Sequence, residues 1–171
     1  MTSDLVTLNQ LPIDDFIRAV GPLFEHSPWI ALRAASRRPF ASISDMHAVL
    51  VDVVNAAEES EKLALIRAHP DLAGKLAIAG DLTPNSRAEQ ESARLDQLTP
   101  QQFVLMTALN ERYRTKFEFP FVLCVRDHTQ AEIFETFQRR IDHDRSTEIA
   151  AALTQISRIA WHRLHALTAS A

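Results

Sequence analysis

Apolar residues recur along this chain at helical spacing. Met46, Leu50, Val53, Val54 and Ala57 fall at i, i+4, i+7, i+8 and i+11, which is one face of a helix. Ile133, Phe134, Phe137 and Ile141 repeat the pattern, as do Ile149, Leu153, Ile156, Ala160, Leu164 and Leu167. The spacing predicts about eight helices, over 12–20, 27–37, 44–57, 59–68, 84–95, 100–117, 129–142 and 146–168. Ser27-Pro28, Thr83-Pro84 and Thr99-Pro100 each place a capping hydroxyl before a proline suited to the first helical position. Thr99 with Gln102 reads as a capping box, and Asp144 as the cap of the last helix.

One segment breaks the pattern. Phe119-Pro120-Phe121-Val122-Leu123-Cys124-Val125 is apolar, carries a proline and is too short for an amphipathic helix. With no second strand to pair with, it reads as a buried extended connector whose backbone groups need partners, a ligand among them. Three glycines in 171 residues leave little turn material for a sheet. The expectation is an all-α, single-domain bundle.

Composition narrows the function classes. Apolar residues make up 46% and charged residues 23%, ordinary for a soluble globular protein. The net charge is −4 with Lys and Arg scattered, which argues against a nucleic-acid or anionic-membrane surface. No apolar run approaches the roughly 18 residues of a membrane span. Met1 to Gln10 shows no secretory signal, Ala169-Ser170-Ala171 no peroxisomal address, and the one cysteine suits a reducing cytoplasm.

The densest chemistry lies in Arg67-Ala68-His69-Pro70-Asp71-Leu72-Ala73-Gly74-Lys75. Proline disfavours the α region for the residue before it, so His69 leaves the helical path just as the helix ends. Histidine has the side-chain pKa nearest neutrality. The reading is a catalytic histidine, set against a helix-terminating surface histidine. In Ser86-Arg87-Ala88-Glu89-Gln90, the residues Ser86, Glu89, Gln90 and, beyond them, Ala93 share one helical face. That face is polar where a core face would be apolar. It is either solvated or the lining of a polar pocket, and Arg87 and Glu91 already supply a charged outer side. Arg163 falls at about −40° on the last helix, at the edge of an apolar stripe running roughly from −20° to +60°. A buried guanidinium needs a partner. The choices are an internal salt bridge or a clamp for a substrate carboxylate or carbonyl. His162 and His165 are spaced for a shared metal, but no third ligand follows at a recognisable spacing, so no metal is expected. No phosphate loop or Ser/His/Asp nucleophile pattern appears.

These blocks, with Leu109-Asn110-Glu111-Arg112-Tyr113-Arg114-Thr115-Lys116-Phe117-Glu118-Phe119-Pro120-Phe121, resemble the 2-oxo-4-hydroxy-4-carboxy-5-ureidoimidazoline (OHCU) decarboxylases. The family pattern has a His-Pro-Asp-Leu-Ala-Gly-Lys-like block, then Ser-x-x-Glu-Gln, then Asn-x-x-Tyr-x-x-Lys-Phe-Gly-Phe-Pro-Phe, and closes on an Arg-Leu pair, here Arg163-Leu164. The likeness runs from about Leu11 to Leu167, which makes 1–171 one domain of this kind. It implies an all-helical, cytoplasmic homodimer. The implied reaction is cofactor-independent decarboxylation of OHCU to (S)-allantoin, the last step of urate degradation to allantoin.

By motif, His69 matches the family's catalytic histidine, with Glu89 placed beside it in the chemistry. Pro70, the block Ser86, Arg87, Ala88, Glu89 and Gln90, the connector residues Phe121, Val122, Leu123, Cys124 and Val125, and Arg163 match substrate-contacting positions. Two departures stand out: Glu118 occupies the usual glycine of Phe-Gly-Phe-Pro, and Arg94 a common glycine before Leu95. The competing class is a non-catalytic helical interaction domain related to the family. Such a module has no reason to keep His69, Ser86, Glu89, Gln90 and Arg163 inward.

Overall fold

The computed structural model describes residues 4–169, and every regular element among them is helical. The sequence-based readings at Met1–Ser3 and Ser170–Ala171 lie outside them. In chain order the helices are α1 (Leu5–Gln10), α2 (Ile13–Val20), α3 (Trp29–Ala35), α4 (Ile43–Asn55), α5 (Glu59–Arg67), α6 (Lys75–Ala79), α7 (Pro84–Ser92), α8 (Pro100–Phe117), α9 (Gln130–Arg140) and α10 (Arg145–Thr168). Eight of these ten have seven residues or more, as the periodicity predicts. The two it misses, α1 and α6, are shorter than two turns and bury at most one residue each, so they leave no stripe to detect.

Caps set most boundaries. Thr83 Oγ1 accepts from Ser86 N–H at 3.3 Å, and Thr99 and Gln102 form the reciprocal box. Asp144 Oδ1 accepts from Thr147 N–H at 2.9 Å, as expected of a cap. Ser27 behaves differently: α3 starts at Trp29 without a side-chain cap, and Ser27 Oγ instead donates to the Glu25 carbonyl at 2.9 Å. Thr129 with Glu132 and Glu58 with Glu61 supply two more capping boxes.

Among the described residues, 4–68 with 157–169 form one compact unit and 69–156 another. In the first, α2 packs on α3 and α3 on α4, burying Phe16, Val20, Ile30, Met46 and Leu50 completely. Arg38 closes this unit by donating through Nη1 to the Leu11 carbonyl at 2.6 Å while its guanidinium lies over the Phe16 ring.

The second unit is built around aromatics from α8, α9 and the connector. Tyr113, Phe117, Phe119 and Phe137 are fully buried, and Phe121 stacks on Phe137 with ring centroids 3.9 Å apart. The three polar residues of Asn-x-x-Tyr-x-x-Lys each fasten something. Asn110 bonds the loop after His69, Tyr113 donates to Glu148, and Lys116 Nζ donates to the carbonyls of Ile141 and His143 at 2.6 and 2.8 Å. Those last two bonds satisfy carbonyls beyond the α9 C-terminus.

Arg94 and Glu118, the residues standing where the family pattern has glycine, have φ of 55° and 64°. Both occupy the left-handed region at a helix boundary, where glycine avoids the Cβ penalty.

Candidate active site

Helix α5 ends at Arg67, and Ala68 caps it by donating to the carbonyls of Ala64 and Ile66. His69 follows and is 6% exposed, so the surface-histidine reading does not hold. After Pro70 the chain makes a tight turn. Ala73 is held at φ 48°, uncommon for a residue with a side chain. A Cβ on Gly74 would come within 2.7 Å of Asp71 Cβ, so only glycine lets the backbone fold back this closely. Lys75, exposed, opens α6.

Three side chains from two helices hold this turn. Gln90 on α7 accepts from Ala73 N–H at 2.9 Å and donates to the Asp71 carbonyl at 3.3 Å. Asn110 Nδ2 donates to the Leu72 carbonyl at 2.8 Å. Arg114 Nε sits 2.8 and 2.9 Å from the two Asp71 carboxylate oxygens. Asn110 and Arg114 are spaced i, i+4 on α8 and so share the face that meets the loop. The amide of Gln90 is thus committed at both ends to the turn after His69–Pro70.

On α7, Ser86, Glu89 and Gln90 are buried, as is Ala93 at its C-cap, while Arg87, Ala88 and Glu91 are exposed. A buried face of serine, glutamate and glutamine excludes the solvated-face reading. The side chains of Arg87 and Ala88 lie away from it; Arg87 Nη2 donates to the Gly80 carbonyl.

The connector is buried, as its composition predicts, and has no regular structure until Val125 opens a 3-10 turn. Val122 carbonyl accepts from Arg140 Nη1 at 2.8 Å, and Cys124 N–H donates to Gln155 Oε1 at 3.0 Å. Arg140 also grips Glu148 through Nε and Nη2 and lies 4.5 Å from the Phe121 ring centroid. Glu148, fully buried, takes further bonds from Tyr113 and from His143 Nδ1. Burial, with this bond to Glu148 in support, pushes the Tyr113 hydroxyl pKa up, so it stays protonated and donating.

Arg163 belongs to the first unit. Its Nη1 donates to Glu25 Oε2 at 3.0 Å and to the Pro22 carbonyl at 3.4 Å. The internal salt bridge weighed for this arginine is present. Glu25 is the residue the sequence reading missed, since 138 positions separate the pair and nothing local marks it. Asn110 and Arg114 were legible only as members of a motif, and their i, i+4 spacing was the available signal.

A groove of about 530 Å³ opens on the second unit beside α6 and α7. It touches Ala73, Arg87 and Gln90 but none of His69, Ser86 or Glu89, and Ile78, Leu95 and Phe103 make much of its wall apolar.

Comparison with known proteins matches the chain to one group. A profile of OHCU decarboxylases fits residues 9–165. The chain is 42% identical over 160 residues to the 2-oxo-4-hydroxy-4-carboxy-5-ureidoimidazoline decarboxylase of Haloferax volcanii, covering 94% of this chain and 93% of that one. It is 40% identical over 157 residues to a uric acid degradation bifunctional protein of Bacillus subtilis, covering 92% of this chain and 31% of the larger one. Among solved structures, (S)-allantoin synthase aligns with a TM-score of 0.74 at 28% identity, over 96% of this chain and 54% of that one.

Proposed function

The chain belongs to the OHCU decarboxylase family, and from that premise we propose that it converts OHCU to (S)-allantoin with loss of CO2, as the last step of urate degradation to allantoin. The observation that carries this reading is a buried histidine at a helix end whose following turn is held by Gln90 of a buried Ser86–Glu89–Gln90 face.

The substrate carries a hydroxyl and a carboxylate on C4, next to a C5=N imine. When the C4–CO2 bond breaks, its electron pair forms a C4=C5 bond and the imine pair moves to nitrogen, which takes a proton. The C4 hydroxyl then gives up its proton as C4 becomes a carbonyl, and C5 receives one. The balance is one proton consumed and one CO2 released. His69 handles the proton, delivering it to one face of C5 so that one enantiomer results, and Glu89 orients the imidazole or the C4 hydroxyl. Help of this kind is worth about 10² to 10⁴ in rate.

Pro70, the block 86–90, the backbone of Phe121, Val122, Leu123, Cys124 and Val125, and the Arg163 guanidinium bind the substrate in this reading, each carried over by its motif. Phe121 is stacked on Phe137 and so serves through its backbone, while Arg87 and Ala88 face solvent and enter this reading only as members of the block. The family match spans most of 1–171, which supports one catalytic domain. A homodimer and a cytoplasmic location complete the proposal. Leu76, Ile78 and Val104 are half or more exposed, which suits a covered surface, and among the described residues no helix is long and apolar enough to cross a membrane. Light scattering decides the first and fractionation the second.

The test uses freshly generated OHCU and follows allantoin formation by circular dichroism, because spontaneous decay gives racemic product. Wild type should produce one enantiomer and His69→Ala should not. Enantioselective turnover by His69→Ala at the wild-type rate would sink the assignment.

A further inference from the structure

Asn110 is 8% exposed and uses only half of its amide. Nδ2 donates to the Leu72 carbonyl, but Oδ1 is fully buried and no described residue bonds it. A buried acceptor without a partner carries its full desolvation penalty, and such groups are few in native structures. A leucine here would fill similar space without that penalty. What accounts for the amide is therefore its donor end. The carbonyl it holds lies three residues after His69, in a turn that Ala73 enters in the left-handed region and that would relax if released.

We propose that Asn110 is a positioning residue, whose amide tethers the Leu72 carbonyl and thereby fixes the His69–Pro70 segment for proton transfer. The other tethers do not replace it. Arg114–Asp71 is a half-exposed ion pair of the kind that contributes little, and Gln90 grips Asp71 and Ala73 but not Leu72. The proposal rests on the reading of His69 as proton carrier.

Removing the amide also makes an unusual trade. Asn110→Leu eliminates the orphan Oδ1 but strands the carbonyl of Leu72, itself buried. One unpaired acceptor replaces another, so stability changes little while the loop loses its tether.

The experiment is Asn110→Leu read three ways. The melting temperature should stay within about 3 °C of wild type. Amide hydrogen exchange over 71–75 should quicken at least ~10-fold, with the α8 amides at 109–113 unchanged. On OHCU, kcat should fall at least ~10-fold with KM within about threefold, because misplacement of a catalytic group acts on the chemical step. Unchanged exchange over 71–75 overturns the tether, whatever turnover does. Quickened exchange with unchanged kcat, or a kcat that falls only with the folded fraction, overturns the positioning role. If Asn110→Leu does not fold, Asn110→Ser decides by the same exchange measurement. Absence of enantioselective turnover in wild type would instead reject the OHCU reading, and with it the catalytic half of the proposal; exchange still decides the tether.

Discussion

Glu25 and Arg163, 138 residues apart, meet at 3.0 Å where neither side chain is more than 4% exposed. Burying two charges is costly, and the attraction between them recovers that cost only while both are present. The pair also restrains how the guanidinium is presented, because Nη1 is engaged by Glu25 and by the Pro22 carbonyl.

Arg163→Met should lower the unfolding free energy by about 3 to 5 kcal/mol, since it leaves the Glu25 carboxylate buried without its counter-ion. Glu25→Leu combined with Arg163→Met should cost less than the two single changes summed. Urea unfolding of the four proteins measures the coupling. Strict additivity would show that the pair is not energetically joined. Arg163→Lys keeps charge but loses the planar fork, and an unchanged KM for OHCU would remove the clamp role.

Gly74→Ala should destabilise by about 1 to 3 kcal/mol, because the new Cβ meets Asp71 Cβ rather than the end of a flexible side chain. The turn after His69 must shift, so the allantoin rate should fall as well. Gly80→Ala is the comparison: its Cβ would meet nothing within 4 Å, and only its φ of 78° opposes it. Gly74 itself has an ordinary φ of −84°, so equal activity losses in the two variants would mean that the contact with Asp71 does not set the turn after His69.

Arg94→Gly and Glu118→Gly should stabilise, by up to about 1 kcal/mol each after glycine's added chain entropy is set against the left-handed penalty. For a chain of this length that is about 2 to 4 °C in Tm. Calorimetry of each single variant is sufficient. A fall in Tm at either position would show that its side chain contributes more than its backbone costs.

Asp144 gives a pH prediction. Bonds from the Ser146 hydroxyl, the Thr147 amide and the Thr147 hydroxyl hold its pKa well below the usual carboxylate value. A carboxylate depressed by folding contributes stability that is present above its unfolded pKa, near 3.9, and lost as pH falls through the folded value. Asp144→Asn should therefore melt lower than wild type at neutral pH, with the difference narrowing in acid. Parallel pH–Tm curves would reject the assignment.

The helices were legible because amphipathic stripes and capping residues are local. Thr83 and Thr99 cap where the sequence places them, and spacing alone puts Ser86, Glu89 and Gln90 on one polar face, whose burial only the packing decides. Partnerships were not legible. Nothing near Ser27 indicates that its hydroxyl turns to the Glu25 carbonyl rather than capping α3, and nothing near Gln90 indicates that both ends of its amide serve the loop at 71–73. Such choices are made by segments distant in the chain, which periodicity does not register. Arg94 and Glu118 could be seen as departures from a pattern, but that both sit at positive φ needed the backbone.

The bonding of Arg140 limits how this protein can be dissected. One guanidinium nitrogen holds the Val122 carbonyl while others grip Glu148, which is bonded in turn by Tyr113 and His143. Residues 119–125 are thus not a portable loop. Moved to another helical scaffold without α8, α9 and the start of α10, they would carry the right side chains on a backbone that nothing holds in place.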